Sequence, residues 1–256
     1  MEEIQYTFGD SIEEESIREL LKGCGLPYED IAKHLNHFIL AKDGNHLIGT
    51  IGLEIFGKDG LLRSLAVGNF YRSRGIAKAL YDRILGYAHL QGITTLYLLT
   101  TSAIGFFSKL GFTKGERDNV PESIRMTKEF QGLCPSTAIC MTKKIDKEAQ
   151  YYPKEVLLLQ PDVPGARMWR VALEKTMFTY FEVQPNSHFE THHHESEQIT
   201  MVLEGELFFE IDGRIIDVKK GEVIAIPSGV PHAVYTRETF AKAVDGWSPV
   251  MEKYKN

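Results

Sequence analysis

The chain of 256 residues is 43% apolar, enough for one large core or two ordinary ones, and its length favours two. Its net charge of −6 is the wrong sign for nucleic acid or an anionic membrane surface as the main partner, and no stretch of 18 apolar residues offers a membrane span. The acidic opening MEEIQYTFGDSIEEES is unlike a signal or transit peptide, so the cytoplasm is the expected compartment.

In chain order, residues 4–8 form an opening strand. Asp10-Ser11, followed by Glu13 to Glu15, is a helix start with acidic side chains where the helix dipole favours them. Ile12, Ile17, Leu20 and Leu21 supply its apolar stripe, Gly23 to Pro27 ends it, and a second short helix is expected from Tyr28 to Leu35. The period then changes to strands over His37–Lys42 and Leu47–Phe56, joined by Asp43-Gly44-Asn45, and a Lys58-Asp59-Gly60 turn leads onward. Leu61 to Val67 is an apolar run short enough for a buried strand, and Ile76, Leu80 and Ile84 stand at near-helical spacing. Between them lies Arg72-Ser-Arg-Gly75-Ile-Ala77. A strand that ends in such a loop where a helix begins lets backbone N–H groups approach an anion closely, as a pyrophosphate cradle does. Thr94 to Thr101 reads as another buried strand, Ala103 to Leu110 as a helix, and Gly111-Phe112 as its stop.

The spacing Arg-x-x-Gly-x-Ala resembles the acyl-CoA-binding signature of the GCN5-related N-acetyltransferases (GNAT), and Ala103-Ile-Gly-Phe-Phe-Ser-Lys-Leu-Gly111-Phe112 resembles their second motif. Residues 119–142, NVPESIRMTKEFQGLCPSTAICMT, resemble the arsenic-resistance branch, as do LLRSLAV and LYLLTTSAIGFFSKLGF. The likeness covers about residues 4–145. It implies a mixed sheet flanked by helices, with two central strands splayed apart. It also implies acetyl transfer from acetyl-CoA to the amine of a small molecule, with arsenic-containing or phosphinic amino acids as suggested acceptors. The cofactor-binding set is then Leu65, Ala66, Val67, Arg72, Ser73, Arg74, Gly75, Ile76 and Ala77. The family often places tyrosine where Phe107 stands, as acid for the departing CoA thiolate. Phenylalanine has no proton to give, so the acid is Ser108, another side chain or water, or none is needed for so weakly basic a thiolate.

A neutral amine requires a base, and Glu54, in the polar slot of Ile51-Gly-Leu-Glu-Ile-Phe56, is the candidate. Its alternative is a charged residue on a half-exposed face. Arg63 and Arg125 are each either a fork for a substrate carboxylate or a structural ion-pair partner. Three cysteines, Cys24, Cys134 and Cys140, argue against a disulfide framework. Cys134 and Cys140 would share a strand face, where core packing is preferred over capture of a thiophilic arsenic species.

Residues 142–154, TKKIDKEAQYYPK, shift in composition as a linker does, which divides the chain into 1–147 and 148–256. Beyond them come short strands: Glu155–Leu159, Arg167–Leu173, Met177–Val183, Ile199–Leu203, Leu207–Ile211, Arg214–Val218, Val223–Ile226 and Ala233–Tyr235. Regularly spaced turns between them give a small β-barrel or jelly roll. The expected class is therefore α+β, a GNAT-type sheet followed by an all-β unit. If Thr191 to Gln198 were one extended strand, His192, His194 and Gln198 would share a face, with His232 as a fourth donor. His-x-His-x3-Gln-x6-Gly205 and Gly221-x5-Pro227-x-Gly229-x2-His232 resemble the two cupin motifs, over roughly residues 151–250. Two departures stand out: Gln198 replaces the usual glutamate, and Asn186 replaces a glycine, although asparagine also tolerates a left-handed turn. The resemblance implies a divalent transition metal, and the ligand types do not choose among Mn, Fe, Co, Ni, Cu and Zn. His188 and His193 are expected on the rim. A homodimer is a further implication of the cupin resemblance alone.

Overall fold

A computed structural model describes residues 3–254. Strand β1 (Gln5–Phe8) leads to Asp10, whose carboxylate accepts the Ile12 N–H at 2.7 Å while Glu13 accepts the Asp10 N–H at 3.1 Å. This reciprocal cap satisfies donors that a helix start leaves unpaired. Helix α1 (Glu14–Gly23) follows and buries Ile17 and Leu21. The second helix expected at Tyr28 to Leu35 is not formed: two 3-10 turns, Ile31–Lys33 and Leu35–His37, take its place. The segment is too short to stabilise an isolated helix, and Ile31 and Leu35 are buried without one.

Strands β2 (Phe38–Asp43), β3 (His46–Phe56), β4 (Asp59–Val67), β5 (Thr95–Thr100), β6 (Thr113–Lys114) and β7 (Ile139–Lys144) complete a seven-stranded sheet of order β1-β2-β3-β4-β5-β7-β6. Helices α2 (Ile76–Leu90), α3 (Ile104–Lys109) and the single turn α4 (Glu122–Arg125) connect them. On one face Ile76, Leu80 and Ile84 of α2 pack with Leu53, Leu62, Leu96, Leu98 and Met141. Elsewhere α1 clusters with Phe38, Leu40 and Ala66, and Val120 and Ile124 cluster with Leu61 and Cys140. Strands β4 and β5 run parallel but pair only at Asp59–Thr95, Gly60–Leu96 and Leu61–Tyr97. Beyond Leu61 they part. Ser64 holds φ +56° within β4, and the β3–β4 register shifts between Thr50 and Gly52 beside it, so a bulge turns β4 away from its neighbour.

The chain forms two compact units, Met1–Val156 and Leu157–Asn256. The first extends past the division expected at 147/148. Val156 and Tyr152 belong to its core, and the Tyr151 carbonyl and Pro153 ring approach Gly86 so closely that a Cβ there would meet them at 2.8 and 3.1 Å. The strand expected at Glu155–Leu159 is accordingly absent; a 3-10 turn at Lys154–Val156 precedes a two-residue strand.

The second unit has two sheets. Strands β8 (Gln160–Pro161), β9 (Ala166–Ala172), β10 (Met177–Val183), β12 (Glu197–Glu204), β15 (Val223–Ile226) and β17 (Ala241–Ser248) form one in the order β15-β12-β17-β10-β9-β8. Strands β11 (His188–His192), β13 (Glu206–Ile211), β14 (Arg214–Lys219) and β16 (His232–Tyr235) form the other in the order β11-β16-β13-β14. Met168, Phe181, Val183, Val202, Leu207, Phe209 and Val234 fill the space between them. Asn186 does adopt φ +57°. Gly205 is required outright, because a Cβ would stand 2.1 Å from the Phe240 carbonyl oxygen. No helix among the described residues is long and apolar enough to cross a membrane.

Candidate functional sites of the two units

In the first unit Leu65, Ala66 and Val67 end β4 at the parted strands, and Arg72 to Gly75 form the exposed loop before α2. The Arg72 guanidinium is turned back, its Nε donating to the Val67 carbonyl at 3.1 Å. Gly75 caps α2 with φ +81°, and a Cβ built on it meets nothing within 4 Å. The turn is therefore open rather than filled by its own side chains. Ile76 is buried beneath the loop, which aims the first turn of α2 outward with its N–H groups lacking intrahelical acceptors. Residues 72–77 thus have the form of an anion cradle at the mouth of the β4–β5 gap.

Arg63, just past the last β4–β5 pair, has a fully buried side chain among three carboxylates. Asp30 takes a fork at 3.0 and 2.5 Å, Glu54 bonds the same Nη1, and Glu129 Oε1 lies 3.1 Å from Nε, off the hydrogen-bonding axis. His34 Nε2 stands 3.5 Å from the other Glu54 oxygen. Of the two roles open to Arg63, the contacts present are those of an ion-pair partner, with the Nε edge left without a hydrogen bond. Glu54 lies in this buried cluster, not on a half-exposed face. Asp30, His34 and Glu129 are the members that sequence reasoning missed, and Glu129 is the most deeply perturbed. Burial pushes its carboxyl up to about 7, opposed by Arg63 and reinforced by Glu54 and Asp30. Its only sequence signal was an acidic residue inside the 119–142 stretch.

Ser108 is exposed on α3, and Arg125 is exposed at the end of α4. Phe107 is buried, edge-on to Phe106 and Phe112 at 5.3 and 5.5 Å, so it has a packing role. Cys134 and Cys140 are unbridged, and Cys134 lies in the loop before β7 rather than on a shared strand. Its sulfur is 3.8 Å from Glu129 Oε2, and burial, with the Glu129 charge, pushes the thiol up to about 12.

In the second unit His192, His194 and His232 place ring nitrogens within 4.8 Å of one another. They do not reach this arrangement by strand alternation. Strand β11 ends at His192, residues 193–196 turn, and β12 begins at Glu197, so His192 and Gln198 lie on different sheets. The single extended strand expected from Thr191 to Gln198 is thereby corrected. Each histidine is oriented by a backbone carbonyl against Nδ1: Glu190 for His192 at 2.8 Å, Ser196 for His194 at 2.6 Å and Val230 for His232 at 2.9 Å. A carbonyl only accepts, so Nδ1 carries the proton and Nε2 of the neutral ring presents a lone pair. The Nε2 of His232 is buried without a partner, and that of His194 lies 3.1 Å from Gln198 Oε1, itself an acceptor. Three ring lone pairs and an amide oxygen converge with no proton among them, an arrangement suited to a cation. These residues fit a divalent metal. His188, at the start of β11, and His193, just after it, are exposed.

Residues 4–112 match the family model of the acetyltransferase (GNAT) family, and residues 179–244 match that of the cupin domain. The first region is similar to an uncharacterized N-acetyltransferase of Chlorobaculum tepidum, 28% identical over 38% of this chain and 62% of that protein. It is also similar to the amino-acid acetyltransferase of Escherichia coli K12, 30% identical over 40% of this chain and 24% of that protein. The chain thus spans less than two thirds of either relative. Among solved structures, N-acetylglutamate synthase from Neisseria gonorrhoeae, complexed with coenzyme A and L-arginine, aligns at TM-score 0.49 and 22% identity over 56% of this chain and 33% of that one. An RmlC-like cupin from Shewanella frigidimarina aligns at TM-score 0.40 and 20% identity over 43% of this chain and all of that one. From the two family matches and the architecture described above, the chain carries a GNAT acetyltransferase domain followed by a cupin domain.

Proposed function

We propose that the protein is a cytoplasmic N-acetyltransferase that moves acetyl from acetyl-CoA to the amine of a small molecule, and that its cupin domain binds a divalent transition metal. The observation that carries the transferase reading is the open Gly75 turn at the start of α2, beside strands that part after three pairs. Its amides and helix dipole suit a diphosphate, and the gap suits the arm of the carrier. In the transfer the amine nitrogen bonds to the thioester carbonyl carbon, the C–S bond breaks, and the thiolate departs. The nitrogen's proton passes to a carboxylate. Glu129 and Glu54, at the head of the gap around Arg63, are the candidates, and the value near 7 favours Glu129 because a base poised near working pH is most effective. Ser108 remains a candidate donor to the thiolate.

An amino-acid acceptor accords with the name of the E. coli relative, and an arsenic- or phosphinate-containing one with the 119–142 likeness. Arg125, exposed, is the remaining candidate for its carboxylate or oxyanion. The test is thiol release from acetyl-CoA across a panel of amines that includes such amino acids. Turnover by one of them supports the reading; absence of both turnover and acetyl-CoA binding overturns it.

The metal would be held by His192, His194, His232 and Gln198, where it would supply Lewis acidity or a seat for an anionic ligand. A second reading follows: the cupin is a metal or metabolite sensor that tunes transfer, or a second small-molecule enzyme. Chelation that changes the transfer rate of the full chain supports the sensor. Association into a homodimer is part of the proposal, supported by exposed Ile199, Met201 and Val223 on neighbouring strands β12 and β15.

A further inference from the structure

One buried acid of the barrel lies outside the donor set. Asp245 is central on β17, opposite Thr179 on β10 and Thr200 on β12, and is 5% exposed. Thr200 donates its hydroxyl to Oδ1 at 2.6 Å, and Thr179 faces Oδ2 at 3.5 Å. The Thr179 oxygen accepts from Trp247 Nε1 at 2.8 Å; indole can only donate, so the Thr179 proton is left for Asp245. Among the described residues Asp245 makes no ion pair. Arg170 stands in the same row, two strands away across Thr179, about 10 Å between backbones at ordinary strand spacing. A buried carboxylate supported only by neutral donors, the two threonine hydroxyls and the Gln198 amide, is costly unless a cation lies within reach.

The hydrogen bonds also run in one direction. With Thr200 donating to Asp245, its oxygen accepts, and it does so from Gln198 Nε2 at 2.9 Å. This fixes the Gln198 amide, turning Oε1 toward the histidines. A glutamine free to rotate would offer its NH2 there half the time and repel a cation.

We infer that Asp245, acting through Thr200, is the positioning and charge-compensating residue for a divalent cation held by His192, His194, His232 and Gln198. It supplies from two hydrogen bonds away the negative charge that glutamine itself lacks. The inference rests on the metal-binding reading of the cupin.

The test uses the full chain, stripped by a chelator and titrated with Zn2+ or Mn2+ alone in competition with an indicator chelator. Asp245→Asn and Thr200→Val are each expected to weaken affinity about 10- to 100-fold, as loss of a partner behind a ligand does. Thr200→Ser, which keeps the hydroxyl, is expected to restore it. The urea midpoint of metal-free Asp245→Asn is expected at or above wild type, because an uncompensated buried charge has been removed. Affinity within twofold of wild type for Asp245→Asn overturns the inference, as does a Thr200→Ser as weak as Thr200→Val. So does an affinity loss matched by an equal loss of metal-free stability. Should Asp245→Asn not fold, the Thr200 pair decides. A wild-type chain that binds neither metal overturns the metal reading itself, an outcome distinct from normal binding that ignores Asp245.

Discussion

Arg63 shows how a side chain that looks like a ligand-binding residue in the sequence can be consumed by its own fold. One guanidinium stands against Asp30, Glu54 and Glu129, contributed from positions far apart in the chain. Arg63→Ala should cost about 3–5 kcal/mol in urea unfolding of the first unit, because three buried carboxylates lose their common counter-charge. Glu129 carries a pH signature. Its carboxyl is raised from 4.5 to about 7, so the unfolded chain ionises first. Its favourable contribution is complete below 4.5 and is lost as pH rises to 7, by about 3 kcal/mol at ~1.4 kcal/mol per pH. Glu129→Gln should therefore gain stability relative to wild type between pH 5 and pH 8, as followed by denaturant midpoints. In the proposed reaction the same change should lower kcat/KM about 10²- to 10⁴-fold and remove an acidic limb near pH 7. Neither Glu129 nor Asp245 could be found from sequence alone, because each acquires its meaning from partners dozens of residues away.

Elements whose chemistry is local were the legible ones. Residues 72–77 fix a loop, its glycine and a helix start within six positions, shortly after strand β4, and the structure has all three. Gly75→Ala tests their purpose. Its Cβ would meet no protein atom, so the stability cost should be the left-handed penalty, about 1–2 kcal/mol, read as a fall of a few degrees in Tm. Its methyl would intrude on the cradle, so calorimetry should show acetyl-CoA affinity reduced about tenfold. Two elements of the barrel escaped the pattern. Strand β17, AKAVDGWS, is poor in the β-branched and aromatic residues that announce a strand, yet lies between β12 and β10, where tertiary pairing overrides propensity. The histidine run was read as continuous strand, whereas the chain changes sheets after His192. The three histidines still come together, because their spacing, not their alternation, was the informative signal.

At the scale of the whole molecule each unit has its own hydrophobic clusters among the described residues. Scanning calorimetry of the full chain should resolve two transitions. Acetyl-CoA should raise the one belonging to the first unit, and a chelator should lower the other, each by mass action on its own native state. The class of each unit was legible because it depends on the order and period of elements; residues 148–156 look like a linker in composition, yet Tyr152 and Val156 pack with the first core. The early parting of β4 from β5 has its own consequence for solvent exchange. Main-chain amides of residues 62–67 that face the gap lack a strand partner, so deuterium should enter them quickly in the free protein despite the burial of their side chains. A carrier lying in the gap would slow that exchange, leaving a protection footprint on β4 visible by mass spectrometry before any acetyl group has moved.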